Sequence, residues 1–80
     1  MSGNYPPITC KEVKAILTYL GFTFTAQKGS HKHWVLIKNE RKYKVTVDCP
    51  KAPFSQMLIS SMASQAGTTK KDFYAILKKL

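Results

Sequence analysis

Three segments of the chain place apolar residues at the spacing of a helix. The first runs from Thr9 to Leu20, where Thr9 and Glu12 have the spacing of a capping box and Gly21 follows as a C-terminal glycine. Its apolar stripe consists of Val13, Ile16, Leu17 and Leu20. Residues three and four positions apart lie on one side of a helix, so this stripe predicts a helix that packs against a core.

Two more helices are predicted in the C-terminal part of the chain. Residues 54–67 carry a stripe that is expected to be buried, made of Phe54, Leu58, Met62 and Ala66, and Gly67 ends the segment. Residues 69–80 begin with Thr69 as a cap and Asp72 three positions later. The stripe of this last helix consists of Phe73, Ile76, Leu77 and Leu80.

Between the first two helices the pattern changes to alternation of apolar and polar residues, which predicts strands. The three alternating segments are residues 22–28, 31–38 and 42–48. Gly29, which tolerates a positive φ, and residues 39–41 interrupt them as turns. Such short connections predict an antiparallel meander. The side chains expected to face the core from the outer strands are Phe22, Phe24, Ala26, Tyr43, Val45 and Val47.

The predicted order of elements is therefore α-β-β-β-α-α. Eighty residues suffice for one modest core, so we expect a single domain over residues 1–80. Helices packed on one face of a three-stranded antiparallel sheet give an α+β fold, and this order is that of the double-stranded-RNA-binding-domain-like topology. The other face of the sheet is left to solvent or to a partner.

Strand alternation divides the side chains of the second strand between the two faces of the sheet. Trp34 and Leu36 are the better core pair, so we expect them, with Lys32, to point towards the helices. The open face then carries His31, His33, Val35 and Ile37 from this strand. Its neighbours there are expected to be Thr23, Thr25, Lys44 and Thr46. A β-bulge after Gly29 would instead turn His31 to the helix side.

The net charge of the chain indicates the kind of partner it binds. Thirteen Lys and Arg residues face four Asp and Glu residues, which gives a net charge of +9 and indicates a nucleic-acid partner. No predicted helix is both basic and broadly apolar, so no membrane partner is expected. Residues 1–8 read as a polar lead without a signal-peptide pattern. Cys10 and Cys49 lack metal-binding spacing and are expected to be reduced thiols of a cytoplasmic protein.

The segment His31-Lys32-His33 is the strongest candidate for chemistry. Two histidines supply two ligands, whereas a metal site needs three or four, and Asp48 is the only acidic residue without a predicted role in a helix start or turn. We therefore expect no metal site. Histidine can move protons near neutral pH without a metal, and RNA brings its own nucleophile, the 2′-hydroxyl. His31 is thus either an acid or base, or a structural residue that contacts phosphate.

Three short motifs add a resemblance. Gly29-Ser30-His31 opens the second strand, "YKVTV" follows in the third, and Gln65-Ala66-Gly67 ends the next helix. In this order and spacing they resemble the HicA (YcfA-like) family of bacterial mRNA interferase toxins, over about residues 11–77. The resemblance implies a double-stranded-RNA-binding-like fold, cleavage of mRNA, and neutralisation by a HicB antitoxin. It assigns the family's catalytic histidine to His31.

The chain also differs from the family pattern at two places that bear on the site. Asp48-Cys49-Pro50 stands where the family tends to have Pro and then His. Ser60 and Ser64 stand where the family often carries Arg or Lys.

From residues and resemblance together we expect a metal-independent endoribonuclease toxin that uses no cofactor and cleaves mRNA with His31 as acid or base. The residues expected to contact RNA are Lys28, Gly29, Ser30, Lys32, His33 and Lys44. A non-catalytic RNA-binding module of the same fold is the alternative, and a DNA-binding accessory protein is a third interpretation. Val35 and Ile37 form an exposed apolar strip in a basic surround, which predicts the surface that a HicB-type antitoxin covers.

Overall fold

The structure, a computed structural model, describes residues 5–80 of the chain. Three strands form one antiparallel sheet in the order β1-β2-β3, and the helices complete the α-β-β-β-α-α order of an α+β, double-stranded-RNA-binding-domain-like fold. The elements are α1 (Cys10–Leu20), β1 (Thr23–Lys28), β2 (His31–Lys38), β3 (Arg41–Asp48), a 3₁₀ turn (Cys49–Lys51), α2 (Gln56–Gln65) and α3 (Lys70–Leu77).

The ends of α1 and α3 follow from their capping residues. The backbone N–H of Glu12 donates to the Thr9 hydroxyl at 3.2 Å, and the Thr9 N–H donates to the Glu12 carboxylate at 2.9 Å, so the predicted capping box is confirmed. Gly21 ends α1 with a φ of 99°. At α3 the Asp72 N–H donates to the Thr69 hydroxyl at 3.1 Å.

The buried face of α2 differs from the prediction. The helix begins later than expected because Ser55 caps it, and Phe54, although buried, precedes the helix and forms a β-bridge with Ile8. The buried residues of the helix itself are Ile59, Met62 and Ala63. These residues lie three or four positions apart and share one face of the helix, and Leu58 is a half-buried flank of that face. In the last segment Leu80 lies beyond α3 and is 58% exposed, contrary to the prediction.

Strand β1 is not the half-buried strand that its alternation predicts. All of its residues are exposed, including Phe24 and Ala26, and only the preceding Phe22 is buried. β1 is an edge strand, and the register to β2 shifts between Phe24 and Ala26, which places a bulge at Thr25. The core side of the sheet therefore comes from the strand residues Trp34, Val45 and Val47.

The segment before α1 is more ordered than a polar lead. The prediction about residues 1–4 lies outside the described residues. Ile8 is fully buried, and the Tyr74 hydroxyl donates to the carbonyl oxygen of Pro6 at 2.5 Å. A residue expected in a solvated lead thus belongs to the core, because the bridge to Phe54 draws it in.

The cysteines also differ from expectation. Cys10 and Cys49 are paired as a disulfide, with Cα atoms 5.2 Å apart, instead of standing as two reduced thiols. The first residue of α1 and the first residue after β3 meet although 39 positions separate them in sequence. Spacing along the chain does not predict such a long-range contact.

Within residues 5–80, none of the helices has the length and apolar character needed to cross a membrane.

Candidate functional site

The two turns that flank β2 set which residues meet His31. Gly29 has a φ of 61°, and the two-residue turn it starts puts Lys28 directly opposite His31. Asn39 and Glu40 have φ values of 53° and 62°, the pattern of a type I′ turn, and the register they set puts Asp48 opposite His31 on the other side. Lys28, His31 and Asp48 therefore form one row across the sheet.

His31 and Asp48 are in contact within this row. Nε2 of His31 lies 3.6 Å from Oδ2 of Asp48, and the two side chains are 55% and 21% exposed. Oδ1 of Asp48 is buried and has no hydrogen-bond partner among the residues that the structure describes. The imidazole is thus open to a ligand on one side and faces a carboxylate on the other.

His33 has different surroundings although it lies on the same strand face. Nδ1 of His33 lies 3.4 Å from the hydroxyl of Thr46, and the ring is half-buried. The hydroxyl of Thr25, at the bulge of β1, donates to the backbone carbonyl of His33 at 3.1 Å. His33 therefore has a neutral partner where His31 has a charged one.

A cleft opens where the end of β3 meets α2. The Thr46 N–H, on the free edge of β3, donates to Oε1 of Gln65 at 3.3 Å and ties α2 to that edge. The cleft has a volume of about 190 Å³. Its lining combines polar and apolar side chains: His31, Thr46, Asp48, Lys51, Phe54, Leu58, Ser61, Met62 and Gln65. His31 lies at the mouth of this cleft. The carboxylate of Asp48 and the hydroxyl groups of Thr46 and Ser61 line the same cleft.

The candidate phosphate contacts fall into two groups. Lys28 and Ser30 are exposed beside His31, and Lys44 is exposed opposite Val35. The backbone at Gly29 is open, because no atom lies within 4 Å of the place where a Cβ would stand. Lys32, by contrast, alternates to the helix side of β2, where it is half-buried and paired with the core residue Val47. The structure therefore does not bring Lys32 together with His31.

The other end of β2 is apolar. Ile37 is 72% exposed and Val35 is half-buried, whereas Trp34 between them and His31 is buried on the helix side. The bulge of the sheet lies at Thr25 and not after Gly29, so His31 keeps the same parity as Val35 and Ile37. A shallow depression beside this end is lined by Gly21, Thr23, Thr25, Val35, Leu36 and Ile37.

Sequence analysis missed several residues around His31. The sequence indicates Asp48 only as a helper for a metal or as a departure from the family pattern, and Gln65 only as part of a short motif, whereas nothing in it singles out Lys51 or Ser61. The sequence did contain a signal for Asp48. In a hairpin with a two-residue turn at Asn39 and Glu40, each step back along β2 is matched by one step forward along β3, and this register pairs His31 with Asp48. Within residues 5–80, no group of three or more His, Cys, Asp or Glu side chains lies close enough to hold a metal ion.

Comparison with known proteins places the chain in a family. Residues 10–68, more than half of the chain, match the model of a family described as the HicA toxin of bacterial toxin–antitoxin systems. The chain therefore belongs to the HicA toxin family, and it is the toxin of a toxin–antitoxin system. Searches of curated proteins and of solved structures found no match.

Proposed function

We propose that this toxin is an endoribonuclease that cleaves mRNA without a metal ion, with His31 as its acid or base. The observation that carries the proposal is the row of Lys28, His31 and Asp48, in which His31 and Asp48 line a cleft, in a chain of the HicA toxin family. An exposed imidazole between a cation and a carboxylate is suited to proton transfer next to a bound phosphate.

The reaction needs few groups because the substrate supplies the nucleophile. The 2′-hydroxyl of a ribose attacks the adjacent phosphorus, and the bond from phosphorus to the 5′-oxygen breaks. A histidine is required only to remove the proton from the 2′-hydroxyl or to protonate the leaving oxygen. Lys28 is placed to stabilise charge on the phosphate, because it lies directly opposite His31 in the sheet register.

RNA binding rests on the basic surface around this row. Lys28, Ser30 and the open backbone at Gly29 stand on one side of His31, and His33 and Lys44 continue the same sheet face. Lysine contacts of this type attach to phosphate and carry no sequence information. The net charge of +9 speeds the encounter with RNA.

We assign the antitoxin-binding surface to the apolar end of β2. Val35 and Ile37 form an apolar strip on the face that also carries His31, and Lys42 and Lys44 lie directly opposite them on β3. A HicB-type antitoxin that covers this strip and extends acidic residues to the lysines would block His31 by occlusion.

Cleavage of RNA in EDTA by wild-type protein and by His31→Ala tests the proposal. Wild-type protein is expected to cleave, and His31→Ala is expected to lose about 10²–10⁴ in rate while its RNA affinity is kept. His33→Ala is the matched comparison, since it removes the same side chain from the same face and is expected to act mainly on affinity. If wild-type protein binds RNA and does not cleave it, the non-catalytic RNA-binding module is the correct interpretation.

A further inference from the structure

The carboxylate of Asp48 stands beside His31 with no other polar partner in the part of the chain that the structure describes. Its Oδ2 atom lies 3.6 Å from Nε2 of His31, and its Oδ1 atom is buried without a hydrogen bond. A buried carboxylate oxygen that lacks a donor is destabilising, because it gives up its hydration and receives nothing in return. Stability of the fold therefore does not explain this position, whereas a role towards His31 does.

We propose that Asp48 is a positioning residue that holds His31 in the tautomer with its proton on Nε2 and its lone pair on Nδ1. An ionised carboxylate only accepts hydrogen bonds, so a neutral imidazole that faces it must present an N–H group. The separation of 3.6 Å is slightly longer than a hydrogen bond, and a small rotation of the half-exposed ring closes it when substrate is bound.

This arrangement makes Nδ1 of His31 the base of the proposed ribonuclease reaction, on which the inference rests. Nδ1 takes the proton of the 2′-hydroxyl, the bond from 2′-oxygen to phosphorus forms, and the bond from phosphorus to the 5′-oxygen breaks. The leaving 5′-oxygen takes a proton from water. Asp48 touches none of these atoms, and its charge stabilises the imidazolium that forms next to it.

His33 is not equivalent to His31, because it faces a hydroxyl and not a carboxylate. Its Nδ1 faces the hydroxyl of Thr46 at 3.4 Å. A hydroxyl both donates and accepts, so it fixes neither tautomer. Of the two histidines on this face, only His31 has a neighbour that selects which nitrogen carries the proton.

Three variants test the role of Asp48 in catalysis. Asp48→Asn keeps the shape of the side chain but removes the carboxylate, and we expect kcat to fall by about tenfold to 10⁴-fold with little change in affinity for a 2′-O-methyl RNA. Asp48→Glu restores a carboxylate and is expected to recover part of kcat. Glu40→Gln, which changes net charge equally in an exposed turn, is expected to leave kcat unchanged. A full kcat in Asp48→Asn would overturn the inference.

The tautomer of His31 gives a second measurement that needs no variant. Nitrogen NMR of wild-type protein at alkaline pH, where the imidazole is neutral, is expected to show the proton of His31 on Nε2. A proton on Nδ1, or an equal mixture of both tautomers, would overturn the inference. If the wild type does not cleave RNA, the ribonuclease proposal itself fails, and if His31→Ala cleaves as well as the wild type, the assignment of the base to His31 fails. If His31→Ala is inactive and Asp48→Asn is fully active, only the role of Asp48 fails.

Discussion

The two ends of strand β2 present very different surfaces on the same face of the sheet. At the start of the strand His31 lies between Lys28 and Asp48, at the mouth of a cleft that α2 helps to form. At its other end Ile37 is 72% exposed and projects over an open, shallow depression. At the His31 end, polar side chains converge beside α2, which forms one side of the cleft. At the Ile37 end, apolar side chains are exposed beside a shallow depression.

In the proposed function, this difference separates the site of chemistry from the site of antitoxin recognition. Proton transfer requires groups held in a fixed geometry around a substrate atom, which a walled cleft supplies. Protein association requires apolar area that can be covered, which an open strip supplies. Ile37 and His31 are about 20 Å apart along one strand, so a partner protein that binds at Ile37 and extends along the strand can cover His31. We infer that activity and its control share one face of the sheet.

The largest expected effect comes from removing side chains at the two ends in turn. His31→Ala is expected to abolish growth inhibition in cells, since it loses about 10²–10⁴ in rate, while Ile37→Ala stays toxic without antitoxin. Colony counts after induction, with circular dichroism to verify folding, make the measurement. If His31→Ala keeps more than about a tenth of the cleavage rate, the assignment of chemistry to the start of the strand is wrong.

Salt dependence tests whether RNA extends across both ends. Three to five lysine contacts predict that log affinity for single-stranded RNA falls with log salt at a slope of about −2 to −3.5. Lys28→Gln and Lys44→Gln are each expected to reduce that slope by about 0.7, whereas Lys11→Gln, on α1, leaves it unchanged. Fluorescence anisotropy over a salt series measures the slopes. An unchanged slope in Lys44→Gln would confine RNA to the His31 end.

A smaller effect is expected at the apolar end. Ile37→Lys and Val35→Lys place a charge in the proposed antitoxin interface, and each is expected to weaken antitoxin binding by about 1–3 kcal/mol. Calorimetry with the purified antitoxin makes the measurement, and RNA cleavage by the free toxin serves as the control. Ile37→Lys is the cleaner variant because the side chain is already exposed. Antitoxin affinity that is unchanged in both variants would place the interface elsewhere.

The smallest effect concerns the turn that fixes the register of His31 and Asp48. Glu40 has a φ of 62°, a conformation that glycine adopts without strain. Glu40→Gly is expected to raise the free energy of unfolding by about 0.5–1 kcal/mol and to leave cleavage unchanged. Urea denaturation measures this, and Glu40→Ala controls for the lost charge. A lower stability in Glu40→Gly would mean that the strain at this turn is compensated by contacts of the glutamate.

Sequence predicts the helices with caps well and the sheet less well. The capping box and the C-terminal glycine act over a few residues, so the ends of α1 could be predicted directly. The exposure of β1 could not, because alternation tells which residues share a face and not whether a helix covers that face. The burial of Ile8 depends in the same way on a bridge to Phe54, far along the chain.

The candidate site was predictable to the extent that local motifs define it. Gly29-Ser30-His31 and strand parity identified His31 and the face on which it lies. Asp48 required the register of the β2–β3 hairpin, which differs between a two-residue turn and the three-residue turn expected at 39–41. The cleft itself required the docking of α2 on the edge of β3 through Gln65, a tertiary contact that no local pattern encodes.

The ends of the cleaved RNA test the central claim most directly. Purified wild-type toxin, incubated with RNA in EDTA, is expected to produce 2′,3′-cyclic phosphate and 5′-hydroxyl ends, because in the proposed reaction the 2′-hydroxyl is the nucleophile and His31 moves the proton. Mass spectrometry of the fragments identifies these ends, and His31→Ala is expected to yield none. Fragments with 3′-hydroxyl and 5′-phosphate ends, or cleavage that stops in EDTA, would contradict the account.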